Sequence, residues 1–95
     1  MEQELRAISN SRRRAMLDLV WDAERTASEI ADLSGLSKPA TSQHLRVLRD
    51  AGLVRVRAKG NQRLYRSDPV RVAELRAALE AFWGERLARL KDELE

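Results

Sequence analysis

Lys38, Ser42, Gln43 and Arg46 lie close together in the chain and bring an ammonium, a hydroxyl, a carboxamide and a guanidinium to one short stretch. These groups recognise by hydrogen bond and charge; they do not by themselves make or break bonds. A carboxamide can pair with an adenine edge through two hydrogen bonds, and cationic or hydroxyl groups can meet phosphates or base edges. Covalent chemistry has little to draw on. The 95-residue chain has no cysteine and one histidine, His44. Disulfides, thiolate metal sites and cysteine nucleophiles are thereby excluded. No nucleophile–base pair, phosphate loop or metal cluster stands out, so an enzyme is the least supported class, and neither a metal nor another cofactor is expected.

The four side chains need a helix to present them, and the residues around them supply one. Residues 26–52 read TASEIADLSGLSKPATSQHLRVLRDAG. Thr26-Ala27-Ser28-Glu29 has the spacing of a capping box, in which the hydroxyl and the carboxylate each accept from a free backbone N–H. Ile30, Leu33 and Leu36 follow as apolar anchors. Ser34-Gly35 breaks this first helix, because glycine takes a positive φ without steric cost. Ser37 caps a second helix, with Pro39 in its first turn, where the missing N–H is harmless. Gly52 ends it. Two helices around a turn of three or four residues have helix-turn-helix spacing, and in that motif the second helix enters the DNA major groove by its N-terminal end.

On a helical wheel of residues 37–50, Thr41, Leu45 and Leu48 turn toward the core, and Pro39, Ser42, Gln43 and Arg46 lie opposite. Lys38 sits at the free N-terminal end. The candidate DNA-contacting residues of this helix are Ser37, Lys38, Pro39, Thr41, Ser42, Gln43 and Arg46. Thr41 is kept among them although the wheel turns it inward. His44 borders the core side, where packing or a backbone contact suits it better than base reading.

Charge supports the same surface. The chain has a net charge of +3, but residues 37–66 hold eight basic groups against one acid, Asp50. The remainder is acidic. A basic middle between such flanks is the electrostatic footprint of a nucleic-acid surface, although a solvated charged face would look similar.

The rest of the chain frames that surface. Met1, Leu5 and Ile8 have helical spacing over residues 2–8. Asn10 can cap a second helix to about Trp21, with Met16, Leu17, Leu19, Val20 and Ala23 as apolar positions. After the helix-turn-helix, Leu53–Ala58 alternates as a strand, Lys59-Gly60-Asn61 turns the chain, and Gln62–Arg66 returns. This basic hairpin is a wing, and Lys59, Asn61 and Arg63 at or beside its tip complete the candidate DNA contacts. Tyr65 reads as hairpin packing. Arg13 and Arg14 suit either a backbone phosphate or a structural ion pair. Asp68-Pro69 opens a helix to about Leu94. Val72, Leu75, Leu79 and Phe82 make one apolar stripe on it, and Trp83, Leu87, Leu90 and Leu94 a second. So much apolar surface is hard to bury within one small domain, which points to a partner helix, most simply the same helix of a second copy; the alternative is a helix folded back on the first two helices of its own chain. Trp21 and Trp83 read as core or interface.

The run SEIADLSGLSKPATSQHLRVLRDAGLVRVRAKGNQRLYRSDP resembles the ArsR-like (ArsR/SmtB) family of bacterial winged-helix regulators. The likeness extends from NSRRRAML through the C-terminal helix, and LSKPATSQHLRVLRDAGLV and GNQRLYR are its most specific pieces. The resemblance implies a homodimer built from the first and last helices, bound to double-stranded DNA at a dyad-symmetric operator. It also implies repression relieved by an effector, whose identity the sequence leaves open. The chain departs from the metal-sensing branch, whose E-L-C-x-C-D-L motif would fall on Glu24–Ile30, with Thr26 and Ser28 in the cysteine places. Hydroxyls replace soft thiolates poorly. Residues 69–95 contain no histidine for the other familiar metal site.

The expected fold is mainly α with a small β-hairpin: a winged helix-turn-helix in the order α-α-α-α-β-β-α, with long N- and C-terminal helices for dimerisation. One domain is expected over 1–95, with the helix-turn-helix at 26–50, the wing at 53–67 and the dimerisation helix at 69–94. With no long apolar run and no signal-peptide pattern, a cytoplasmic location away from membranes is expected. The alternative function is a winged-helix protein-interaction module with weak or no specific DNA binding; the basic segment favours the DNA-binding reading.

Overall fold

The turns of the helix-turn-helix are held by the side chains that mark them in the sequence. The computed structural model describes residues 1–94. Its elements run α1 (Glu2–Ile8), α2 (Ser11–Leu19), β1 (Arg25–Thr26), α3 (Ala27–Ser34), α4 (Lys38–Asp50), β2 (Val54–Lys59), β3 (Gln62–Ser67) and α5 (Pro69–Leu94). At the start of α3 the Thr26 hydroxyl accepts from Glu29 N–H at 3.1 Å, and Thr26 N–H donates to the Glu29 carboxylate at 3.2 Å. Gly35 ends α3 at φ 67°. Gly35 N–H donates to Asp32 O and Leu36 N–H to Ala31 O, so two otherwise orphaned carbonyls are satisfied. Ser37 then caps α4 by accepting from Ala40 N–H at 3.2 Å.

The core collects one face from each helix. Met16, Val20, Ile30, Leu45, Leu48 and Leu53 are almost wholly buried, and Ala7 from α1 and Leu75 from α5 join them. This packing clamps α4 by Leu45 and Leu48, and its opposite face is left free. Asn10 caps α2 by accepting from Arg12 and Arg13 N–H.

Two features differ from the sequence reading. The N-terminal helix is short, seven residues, because the chain turns at Ser9 so that Asn10 can cap α2; only the C-terminal helix is long. The sheet has three strands in the order β1-β3-β2, not two, because Arg25 and Thr26 pair antiparallel with Tyr65 and Leu64. A two-residue strand is too short to show an alternating pattern. The hairpin itself runs from the Val54↔Ser67 pair to Lys59↔Gln62, closed by Gly60-Asn61.

Asp68 caps α5, its carboxylate accepting from Val70 N–H at 3.0 Å and Arg71 N–H at 3.3 Å. Leu75 is the one buried residue of this 26-residue helix, and every described residue from Ala81 onward is exposed. The molecule is therefore long, 54 × 26 × 22 Å. Its radius of gyration is 15.6 Å, against about 12–13 Å for a compact chain of this length.

Candidate nucleic-acid interface

Burial on one side of α4 decides what the other side offers. Lys38, Pro39, Ser42, Gln43 and Arg46 are all exposed. Ser37 is exposed too, but its hydroxyl is occupied by the cap. Thr41 is a correction: it is completely buried, packed on the core side beside Leu45 and Leu48, and cannot present its side chain to a ligand.

The hairpin stands beside this face. Ser42, Gln43, Arg46 and Arg49 of α4 share a cleft of about 440 Å³ with Arg63 and Tyr65 of β3. Arg63 and Tyr65 are two residues apart on a strand, so they point to the same face, the one toward α4. Lys59 and Asn61 are exposed at the hairpin turn, outside that cleft. The structure thus brings Ser42, Gln43, Arg46 and Arg63 together and leaves Lys38 and Pro39 at one end and Lys59 and Asn61 at the other. Arg49 was not among the sequence candidates. Its signal was present, since it follows Arg46 by three residues and so lies on a neighbouring ridge of the same helix.

Not all of the positive charge in residues 37–66 is free. Arg57 holds Glu24 through two hydrogen bonds, the longer at 2.9 Å. Arg55 holds Asp68 through contacts of 3.0 and 3.2 Å. Hydrogen bonding from Arg57 lowers the Glu24 pKa, and that from Arg55 lowers the Asp68 pKa, so both acids stay ionised. Lys38, Arg46, Arg49, Lys59, Arg63 and Arg66 have no ion-pair partner among the described residues. Arg66 alternates with Arg63 and Tyr65 on β3 and so turns away from α4, beside Trp21, which leaves the other five as the cations available to phosphates.

Arg13 and Arg14 are structural. Arg13 donates to Ala7 O at 2.7 Å and Arg6 O at 3.1 Å, and Arg14 donates to Ile8 O at 2.7 Å. They satisfy the last carbonyls of α1, where cations also suit the helix dipole. Arg13 reaches on to the His44 ring, 3.5 Å from Nδ1. Burial first, then the Arg13 and Arg12 charges, push the His44 pKa below its usual range. His44 is therefore neutral near pH 7 and ties α4 to α2. Tyr65 is partly buried against the core. Thr26 is committed to its capping box, and Trp21 and Trp83 are about half exposed.

A capped, basic helix clamped by its apolar face, with a basic hairpin beside it, defines a winged helix-turn-helix protein of the DNA-binding class. Residues 10–56 match the family described as bacterial regulatory protein, arsR family. The HTH-type transcriptional regulator Rv2034 of Mycobacterium tuberculosis is 39% identical over 77 residues, covering 81% of this chain and 72% of that protein. The transcriptional repressor SdpR of Bacillus subtilis is 39% identical over 60 residues, covering 63% of this chain and 67% of that one. The structure of the homodimeric winged helix-turn-helix DNA-binding domain Mb0332 from Mycobacterium bovis superposes with a TM-score of 0.73 at 32% identity, covering 90% of this chain and 80% of that domain. The chain belongs to the arsR family of bacterial regulatory proteins.

Proposed function

We propose that this chain is a homodimeric, sequence-specific DNA-binding transcriptional regulator of the repressor type, acting in the cytoplasm and sensing no metal through thiolates. The observation that carries this reading is the α4–wing cleft, which joins Ser42, Gln43 and Arg46 to Arg63 on a surface where Lys38, Arg49 and Lys59 are also exposed and unpaired among the described residues. Laid in the major groove by its N-terminal end, α4 offers Lys38, Ser42, Gln43 and Arg46 to base edges and phosphates. Lys59, Asn61 and Arg63 of the hairpin then meet the adjoining minor groove or backbone. Gln43 carries the sequence preference, and the cations supply affinity that does not depend on sequence.

The second copy is supported by surface. The chain exposes 6827 Å², whereas a compact monomer of its mass exposes roughly 5,600 Å². Met1, Leu5, Phe82, Trp83, Leu87 and Leu90 are among the large apolar side chains left uncovered. A dyad between two copies doubles the reading head and requires a dyad-symmetric operator. Among the described residues, no helix is long and apolar enough to cross a membrane. The absence of cysteine supports the thiolate-free reading.

Selection of bound duplexes from a random pool by the purified protein tests this function. Enrichment of a two-fold symmetric sequence, with half-sites about 34–36 Å apart or a multiple of that, is expected. Recovery of no preferred sequence would favour the protein-interaction reading instead.

A further inference from the structure

We infer that the joint between α2, α5 and the base of the wing binds a small amphipathic carboxylate, with its apolar tail between the two helices and its carboxylate on Arg66, and that the occupied site weakens the hold on DNA. The site stands on its own geometry; only its effect on DNA rests on the DNA-binding reading. The tail half is a cleft of about 570 Å³ between Leu17 of α2, Trp21 just beyond it, and Val72, Leu75 and Leu79 on α5. The head half, of about 520 Å³, contains Arg55, Arg57 and Arg66 on the outer face of the hairpin. Trp21, Ser67 and Pro69 line both, so the two halves meet across them. An apolar cleft with a few polar groups at one end is the common form of a small-molecule site.

Charge and shape name the occupant. Arg55 and Arg57 are already held by Asp68 and Glu24. Arg66 is exposed, has no ion-pair partner among the described residues and turns away from the DNA-facing side of the wing. It also lies directly across the ladder from Arg55, and like charges so placed repel. An anion on Arg66 relieves that repulsion, and a carboxylate can take two parallel hydrogen bonds from one guanidinium. Where the halves meet, Trp21 is 50% exposed, a large apolar side chain left uncovered. From Val72 to Leu79 the tail half rises about 10 Å along α5, which suits an extended acyl chain better than a compact ring. Arg76 lines that half too, but Glu80 holds it at 3.0 Å and repels a carboxylate there. The head therefore lies at Arg66.

The site bears on the wing through Ser67. Its N–H donates to Val20 O at 2.9 Å, and its hydroxyl donates to Trp21 O at 2.8 Å. These two bonds fix the base of the wing to the end of α2, and a ligand against Trp21 and Ser67 sits on that joint. Its carboxylate also cancels one positive charge per copy. Arg66 is three residues from Arg63 on β3, about 10 Å along the strand, which is about one Debye length at 0.1 M salt. Attraction for phosphates falls accordingly, and more at low salt than at high.

Trp21 reports on the site once Trp83→Phe makes it the only tryptophan. Decanoate, kept below its micelle concentration, is the probe, and 1-decanol is its uncharged match. Decanoate is expected to give a saturable blue shift of Trp21 emission, with decanol binding about two- to fivefold more weakly, the range of an exposed ion pair. Arg66→Gln is expected to remove that difference, and Arg76→Gln to leave it. Sedimentation should show the dimer intact with decanoate bound, while operator and unrelated duplexes both bind more weakly, and least so in Arg66→Gln. Absence of a saturable shift overturns the site. Equal binding of the two probes, or a difference lost through Arg76→Gln instead of Arg66→Gln, overturns the seat of the carboxylate. Splitting of the dimer by decanoate also overturns it, because the ligand then acts on the apolar groove that Leu79 shares with Met1 and Leu5. Unchanged DNA affinity at saturation overturns the effect on DNA and leaves the site standing. A chain that binds no duplex even without decanoate counts against the DNA-binding reading alone.

Discussion

Asp68 does two jobs that one substitution can separate. Its carboxylate caps α5 and also holds Arg55. Asp68→Asn keeps a capping oxygen and loses only the exposed ion pair, so its cost in urea unfolding should be small. Asp68→Ala loses the cap as well and should cost about 1–2 kcal/mol. Equal costs for the two would show that the cap contributes nothing. His44 sets a pH dependence of definite sign. Its folded pKa lies below the usual 6.5, so between those two values the unfolded chain binds more protons than the native one. Stability from this residue is present above 6.5 and is lost as the pH falls toward the folded value. Denaturation midpoints measured downward from pH 7 should fall less steeply in His44→Gln than in the parent, and parallel curves would contradict a His44 held neutral by burial and the nearby Arg13 and Arg12 charges. The sequence showed which residue types were present but not what they pair with. Arg55 and Arg57 looked like part of the DNA-binding charge until Asp68 and Glu24, distant in the chain, proved to hold them. The wheel had already turned Thr41 inward, and its complete burial settles its side.

The elements were legible wherever a local signal fixes them. The capping box, the Ser37 cap, Gly35 and Asp68-Pro69 act within a few residues, and each boundary falls where those side chains place it. What escaped depends on distant partners. The Arg25–Thr26 strand exists only because β3 runs beside it. Nothing near residue 8 shows that Arg13 and Arg14 close the end of α1. The turn glycines give a prediction at this scale. Gly35, Gly52 and Gly60 all have positive φ, of 67°, 77° and 60°. A Cβ at Gly35 or Gly60 meets open space, and one at Gly52 meets the movable Arg71 side chain at 3.1 Å. Each change to alanine should therefore cost mainly the left-handed backbone penalty, about 1–2 kcal/mol. A neutral result by chemical denaturation at all three would contradict these turns.

For the whole molecule, division of labour between reading and holding is the central claim. Arg63 is one of the six unpaired cations and lies on the wing face toward α4. Arg63→Ala should weaken operator and unrelated DNA nearly alike. Each copy then neutralises one phosphate fewer, so the log–log salt slope of the dimer should fall by roughly 2. Gln43 is the opposite case, exposed on α4 and uncharged. The most direct measurement is a base-by-base affinity profile of the selected operator for the parent and for Gln43→Ala, with both confirmed as folded dimers by sedimentation near twice 10.9 kDa. The predicted result is a loss of about 1–3 kcal/mol on the operator, with preference relaxed at one position in each half-site. A Gln43→Ala dimer that keeps the full base preference, while Arg63→Ala alters it, would make the wing the reader and contradict the account.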